Sequence, residues 1–172
     1  MQCLWIIKDM KEIVRQSYLD KIEKYLGKDT IIILTGQRRV GKSSILRLFK
    51  NKVEVSDNAN IIYINKEKKE FDDIKTYKEL NAYIDERLDA EKTNYIFVDE
   101  IQDVAEFERS VRSYYEEPNI EIVITGSNSK MLSGDLSTLI GGRYKEIYVQ
   151  ALSYTEFMQF HQLPDTDDTL SK

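Results

Sequence analysis

Short apolar runs alternate with stretches of helical period along the chain, the layout of an α/β domain with a parallel sheet. Five runs predict strands: Thr30–Thr35, Asn60–Ile64, Asn94–Asp99, Ile120–Thr125 and Lys145–Val149. The first and fourth are nearly continuous in apolar residues, as burial on both faces requires. Val14, Tyr18, Ile22, Tyr25 and Leu26 fall on one face of a helix from about Lys11 to Leu26, closed by Gly27. Leu80, Tyr83, Ile84 and Leu88 mark a second helix near residues 76–90. A third is expected to start at an Asp103 N-cap, with Glu106 three residues on, and to run to about Glu117, where Pro118 stops it. Its apolar stripe is Val104, Phe107, Val111 and Tyr114 or Tyr115. Ser153 with Glu156 carries the same capping signature for a short helix near the end. Lys66 to Asp73, dense in charges of both signs, reads as a solvated loop.

Composition narrows the class. With 172 residues, 41% hydrophobic and 32% charged, the chain can bury a core of ordinary domain size. Its net charge of −5 argues against a strongly basic nucleic-acid footprint, so nucleic acid is not supported as a partner. Apolar runs such as Ile31-Ile32-Ile33-Leu34 are far too short to span a bilayer, which argues against a membrane. Cys3 stands alone and cannot close an intrachain disulfide; with a single histidine, His161, it makes a structural zinc site implausible. Neither has a catalytic partner in the sequence, and both read as structural or incidental. The patch Leu4-Trp5-Ile6-Ile7 runs straight into Lys8 and Asp9, with no small-residue cleavage site. A cytoplasmic domain is the expectation. No repeat or Pro/Gly/Ser-rich linker divides the chain. Residues 1–28 are expected to be a helical segment packing on a core of residues 29–162, with 163–172 a polar tail.

The chemistry is concentrated in three places. Gly36-Gln37-Arg38-Arg39-Val40-Gly41-Lys42-Ser43 matches G-x-x-x-x-G-K-[ST] in full, after a predicted strand and before the helical pattern Ser44, Ile45, Leu46, Leu48 and Phe49. Gly36 and Gly41 free the backbone to turn successive N–H groups inward, and the helix start adds its positive end. Lys42 would place a charge on the β- and γ-phosphates, and Ser43 an oxygen on Mg²⁺. The bland alternative is a glycine-containing strand-to-helix turn with an exposed lysine.

About sixty residues on, Tyr95-Ile96-Phe97-Val98-Asp99-Glu100 is an apolar strand ending in two carboxylates. Asp99 could hold Mg²⁺ and Glu100 could polarise the attacking water; adjacent residues point apart, so one pair can serve both tasks. A GTPase would be expected to show D-x-x-G here, but Asp99-Glu100-Ile101-Gln102 ends in glutamine, and Asn65-Lys66-Glu67-Lys68 fails N-K-x-D. A small-molecule kinase would rarely need the glutamate. ATP and water are therefore the expected reactants. The fourth strand ends in Thr125-Gly126-Ser127-Asn128-Ser129, where Ser127 or Asn128 could sense the γ-phosphate. After Leu139-Ile140-Gly141-Gly142, Arg143 could act as an arginine finger on a neighbouring subunit's nucleotide, implying self-association, or could be a salt-bridged or exposed arginine.

In order, the phosphate loop, Asp99-Glu100-Ile101-Gln102, Thr125-Gly126-Ser127, Gly142-Arg143 and Leu152-Ser153-Tyr154-Thr155-Glu156-Phe157 resemble a family of prokaryotic AAA+-type P-loop ATPases. That family's signatures look like G-x-R-R-x-G-K-[ST], D-E-I-Q, T-G-S, G-R and P-L-S-F-x-E-F; here Ala151 replaces the proline and Tyr154 the phenylalanine. The resemblance covers about residues 11–160. It implies a three-layer P-loop NTPase fold with a five-stranded parallel sheet in order 5-1-4-3-2. It also implies ATP and Mg²⁺ at Gly36 to Ser44, phosphate sensing at Ser127, an arginine near the nucleotide at Arg15, and Tyr18 on the adenine side. Proteins of this kind continue into a helical lid and a C-terminal domain, so the resemblance implies a truncation, with a missing domain or another protein as the coupled partner.

Two readings follow. In one, an ATPase hydrolyses Mg·ATP through Glu100-activated water and drives an attached domain. In the other, ATP binding organises an interaction surface with negligible turnover. A DNA-processing role gains little, because Arg38, Arg39, Lys42 and Arg47 cluster around the phosphate loop and ATP accounts for them.

Overall fold

A computed structural model describes residues 13–127 and 141–161; Cys3, the apolar patch at 4–7, Asn128, Ser129, Leu139, Ile140 and the tail at 163–172 lie outside the described residues. The elements in chain order are α1 (Gln16–Glu23), β1 (Ile31–Thr35), α2 (Lys42–Glu54), β2 (Ala59–Asn65) and α3 (Tyr77–Asp85). They continue with β3 (Thr93–Asp99), α4 (Phe107–Tyr115), β4 (Ile120–Thr125), β5 (Tyr144–Tyr148) and α5 (Tyr154–His161).

Five strands form one sheet in the order β2-β3-β4-β1-β5, every pair parallel. Read from the other edge this is the expected 5-1-4-3-2. Alternation along the central strands divides their side chains between two cores. Ile31, Ile33, Ile96, Val98, Ile122 and Ile124 pack with Leu80 and Ile84 of α3 and Phe107 and Val111 of α4. Ile32, Leu34, Phe97 and Val123 face the other way, against Leu19 and Ile22 of α1 and Ile45, Leu46 and Phe49 of α2. The result is three layers with the sheet in the middle, which explains why β1 is buried at all five positions. No helix among the described residues is long and apolar enough to cross a membrane.

Three local readings need correction. The third helix does not start at Asp103. Ile101–Asp103 is a 3-10 turn, and α4 begins at Phe107 after Glu106, which takes a left-handed φ of 56°. The cause is a backbone competitor: Ala105 donates to Lys75 O at 2.7 Å and accepts from Tyr77 N at 2.9 Å, holding the segment extended. The capping box lies across that contact instead, where Thr76 N donates to Glu79 Oε2 at 2.8 Å and opens α3. Second, the charged stretch after Lys66 is not simply solvated. Phe71 and Ile74 turn into the core, and the Lys66 ammonium folds back to donate to the carbonyls of Phe71 and Ile74. Burial there lowers the Lys66 pKa. Third, α1 starts at Gln16, because Arg15 takes a non-helical ψ of 73° while its side chain engages the loop after β1.

Residues Arg15–Ala151 form one compact unit, and the described residues 152–161 belong to another. In the second unit the expected capping box is present. Ser153 N donates to Glu156 Oε2 at 2.8 Å, and Glu156 N donates back to Ser153 Oγ at 3.3 Å. His161 lies against the rings of Phe157 and Phe160, with centroids at 4.3 and 5.1 Å.

Phe97 is the central plug of the α1/α2-side core. It is fully buried, edge-on to Phe49 and stacked with Tyr95, both at 6.4 Å between centroids. Phe97→Ala is expected to destabilise the fold by about 3–5 kcal/mol, read as a lower urea midpoint at unchanged slope.

Candidate active site

The chain leaves the sheet at Thr35 and returns as α2 at Lys42, and two glycines make the intervening loop possible. Gly36 has φ 138°, and a Cβ there would stand 2.3 Å from the Val149 carbonyl oxygen, so any side chain would collide with backbone. Gly41, at φ 97°, is the N-cap of α2, and Arg39 takes φ 65° without being glycine. Left-handed residues interleaved in this way are the backbone pattern from which anion-binding concavities are built. Ile45, Leu46 and Phe49 anchor α2 in the core, so its N-terminal end is held at the loop.

Lys42 is almost fully buried, and its ammonium donates to the carbonyls of Gly36 at 3.2 Å and Gln37 at 3.0 Å. Glu100 Oε1 lies 3.9 Å away, close enough for charge attraction and too far for a hydrogen bond. In the first turn of α2, Ser43 Oγ donates to Asp99 Oδ1 at 3.0 Å, and Thr125 Oγ1 donates to the same oxygen at 2.5 Å. Thr125 Oγ1 in turn accepts from Glu100 N at 3.0 Å. Three elements therefore meet on one carboxylate.

Asp99 is fully buried, and its second oxygen, Oδ2, has no hydrogen-bond partner among the described residues. Burial pushes its carboxyl pKa up, against the opposing pull of Thr125 and Ser43. A buried carboxylate oxygen left over beside a serine hydroxyl suits a hard divalent cation, which takes oxygen ligands of this kind. The residues present thus fit the magnesium that the sequence implies.

Glu100 follows in a left-handed conformation, φ 56° and ψ 51°, which carries its carboxylate away from the line of β3. Gln102 Nε2 donates to Glu100 Oε2, and Gln102 Oε1 accepts from Ser127 N at 3.4 Å. The cleft beside these groups measures about 480 Å³ and is lined by Arg38, Arg39, Gly41, Lys42, Ser43, Ser44, Glu67, Glu100 and Asp103. That volume lies within the roughly 300–1,000 Å³ of small-ligand sites.

The sequence-derived candidates are distributed unevenly around this cleft. Gly36, Gln37 and Val40 complete the loop, and Ser127 joins through its amide. Arg15 reaches the loop from behind: its guanidinium donates to Val40 O at 3.2 Å, Gln150 O at 2.9 Å and Ala151 O at 3.4 Å. Tyr18 lies under that guanidinium, 4.4 Å from ring centroid to Cζ, and its hydroxyl accepts from Gln150 N at 3.1 Å. Arg143 is not brought in. It precedes β5, which runs parallel to β1 with Ile31 opposite Tyr144, so it stands at the far end of the sheet from the loop. Its exposed guanidinium lies 5.8 Å from the Tyr115 ring. Within one subunit it therefore cannot serve this cleft as an arginine finger.

Thr125, Gln102 and Glu67 carry no site role in the sequence reading, and Asp103, expected there as a helix N-cap, lines the cleft instead. The first two lie inside recognisable signatures, but only the fold shows what their side chains touch. Thr125→Val removes a hydroxyl that serves both Asp99 and the Glu100 amide, while keeping the shape. It is expected to destabilise the protein by about 1–3 kcal/mol, with Thr125→Ser retaining most of the stability in the same urea titration.

The chain matches the AAA domain family over residues 28–158. It is 36% identical over 149 residues to an uncharacterized protein of Haemophilus influenzae, covering 85% of this chain and 37% of that protein. An uncharacterized protein of Methanocaldococcus jannaschii is 33% identical over 157 residues, covering 90% of this chain and 34% of that protein. The chain thus spans about a third of the length of these relatives. Among solved structures, Aeropyrum pernix ORC1, determined in complex with DNA, is similar at TM-score 0.63 and 13% identity. That match covers 91% of this chain and 51% of ORC1, and it bears on the fold alone. The phosphate loop, the acidic strand end and the sheet order agree with the family match: the chain belongs to the AAA domain family of P-loop ATPases.

Proposed function

We propose that this domain binds Mg·ATP in the cleft at the loop Gly36–Ser44 and hydrolyses it to ADP and phosphate. The observation that carries the reading is the placement of two adjacent carboxylates in different settings. Asp99 is buried and engaged by Ser43 and Thr125, and Glu100 borders the open cleft 3.9 Å from Lys42. One carboxylate is thus suited to a metal and the other to a proton.

The backbone amides of Gly36, Gln37, Arg38, Arg39, Val40, Gly41 and Ser44 form the phosphate cradle, with Lys42 as its point charge. Arg38 and Arg39 add positive charge at the rim. Ser43 and Asp99 hold the magnesium, which when bound neutralises charge on the phosphates. Glu100 accepts a proton from the water whose oxygen bonds to the γ-phosphorus, while the bond from that phosphorus to the bridging oxygen breaks and ADP leaves. Ser127 stands at the tip of β4 as the phosphate-sensing position. Arg15 acts by fixing Val40, and Tyr18 by supporting Arg15. A finger role for Arg143 requires a second copy of the chain. The relatives' greater length supports coupling of turnover to a further domain.

Phosphate release by this chain, measured beside nucleotide binding, tests the reading. Lys42→Ala is expected to weaken ATP binding about tenfold or more. Glu100→Gln should keep binding and lower turnover by about 10²–10⁴-fold. Tight binding with no release in the unsubstituted chain would favour a nucleotide-operated switch.

A further inference from the structure

Two side chains approach the Glu100 carboxylate, one at each oxygen. Lys42 stands 3.9 Å from Oε1 and already donates to two loop carbonyls. Gln102 donates directly to Oε2. We propose that Gln102 is a positioning residue, its amide tying the Glu100 carboxylate to the tip of β4 and holding it off Lys42. The proposal rests on the hydrolase reading above and names the group that aims its base.

The local backbone makes the bridge. Glu100 is left-handed, and the 3-10 turn that follows is closed by Asp103 N donating to Glu100 O at 3.1 Å and Val104 N to Ile101 O at 2.9 Å. Ile101, fully buried, anchors the turn in the core, and the side chains of Glu100 and Gln102 meet outside it. The far end of the amide then accepts from Ser127 N at 3.4 Å, across 25 residues of sequence.

Chemistry fixes which way the amide faces. A carboxylate needs a donor and a backbone N–H needs an acceptor, so a flipped amide would oppose both contacts. Glutamine alone among the common side chains offers a donor and an acceptor at this length. Glutamate keeps the acceptor for Ser127 and loses the donor for Glu100; alanine loses both. One planar amide therefore links the β4 tip to the carboxylate proposed to accept the proton.

The test separates positioning from binding. Steady-state hydrolysis by Gln102→Ala is expected to show kcat reduced about 10–100-fold with KM for Mg·ATP held within about threefold, as for a misplaced catalytic group. Gln102→Glu should lose as much, because only the donor half aims the base. Unchanged kcat in either variant, or a loss confined to KM, would overturn the proposal. A second readout is independent of turnover. The Gln102 side-chain amide signal, assigned by nitrogen–proton NMR through its absence in Gln102→Ala, is expected to shift in Glu100→Gln, and an unmoved signal would also overturn the bridge. If the unsubstituted chain binds ATP without releasing phosphate while that shift is present, the hydrolase reading fails and the positioning role with it, while the Gln102–Glu100 contact stands.

Discussion

The site is organised by a carboxylate in the wrong solvent. Asp99 ends β3 inside the protein, where an ion without partners is strongly disfavoured. Ser43 from the first turn of α2 and Thr125 from the end of β4 converge on one of its oxygens. That convergence requires β4 to lie between β1 and β3, and α2 to start where β1 ends. It also leaves one oxygen over. A merely structural network would be expected to satisfy both, which is why the leftover oxygen supports the proposed metal site.

Charge at the site is a local matter that the net value of −5 conceals. Arg38, Arg39 and Lys42 of the loop and the acidic Glu67, Glu100 and Asp103 line the same cleft, so charges of both signs meet there. Under the proposed reading, the phosphates of the nucleotide would lie with the cations of the loop, and Glu100 would be left to the water. The surplus of acidic residues elsewhere says nothing about this cleft, because exposed charges more than about 10 Å apart are largely screened.

How much was legible in the sequence depended on distance along the chain. β4 runs from Ile120 to Thr125, the bounds its apolar run predicts, because Asn119 at φ 61° and Gly126 punctuate it locally. The phosphate loop and the Asp99-Glu100 pair were equally plain, since each is a contiguous pattern with its own backbone demands. The start of α4 was not, because Ala105 pairs with Lys75 and Tyr77, a contact no local capping rule contains. Phe71 sat among charges that outvoted it. The position of Arg143 follows only from the parallel pairing of β5 with β1, and the partners of Gln102 only from the turn that folds it back.

The edge strand shows how a segment with no side chain lining the cleft can still determine its shape. The Val149 carbonyl lies where a Cβ on Gly36 would be, and Val149 N donates to Thr35 O at 2.7 Å. Just beyond, Arg15 spans the carbonyls of Val40, Gln150 and Ala151, fastening the outer side of the loop to the end of β5. A lysine could supply the charge but not the planar fork that reaches several acceptors from one position. Tyr18 braces the fork from below and holds the Gln150 amide. The loop is therefore gripped on its outside by backbone and a buried cation, so its shape is set during folding. For the nucleotide proposed to bind there, that is preorganisation, supplied by residues that need never touch it.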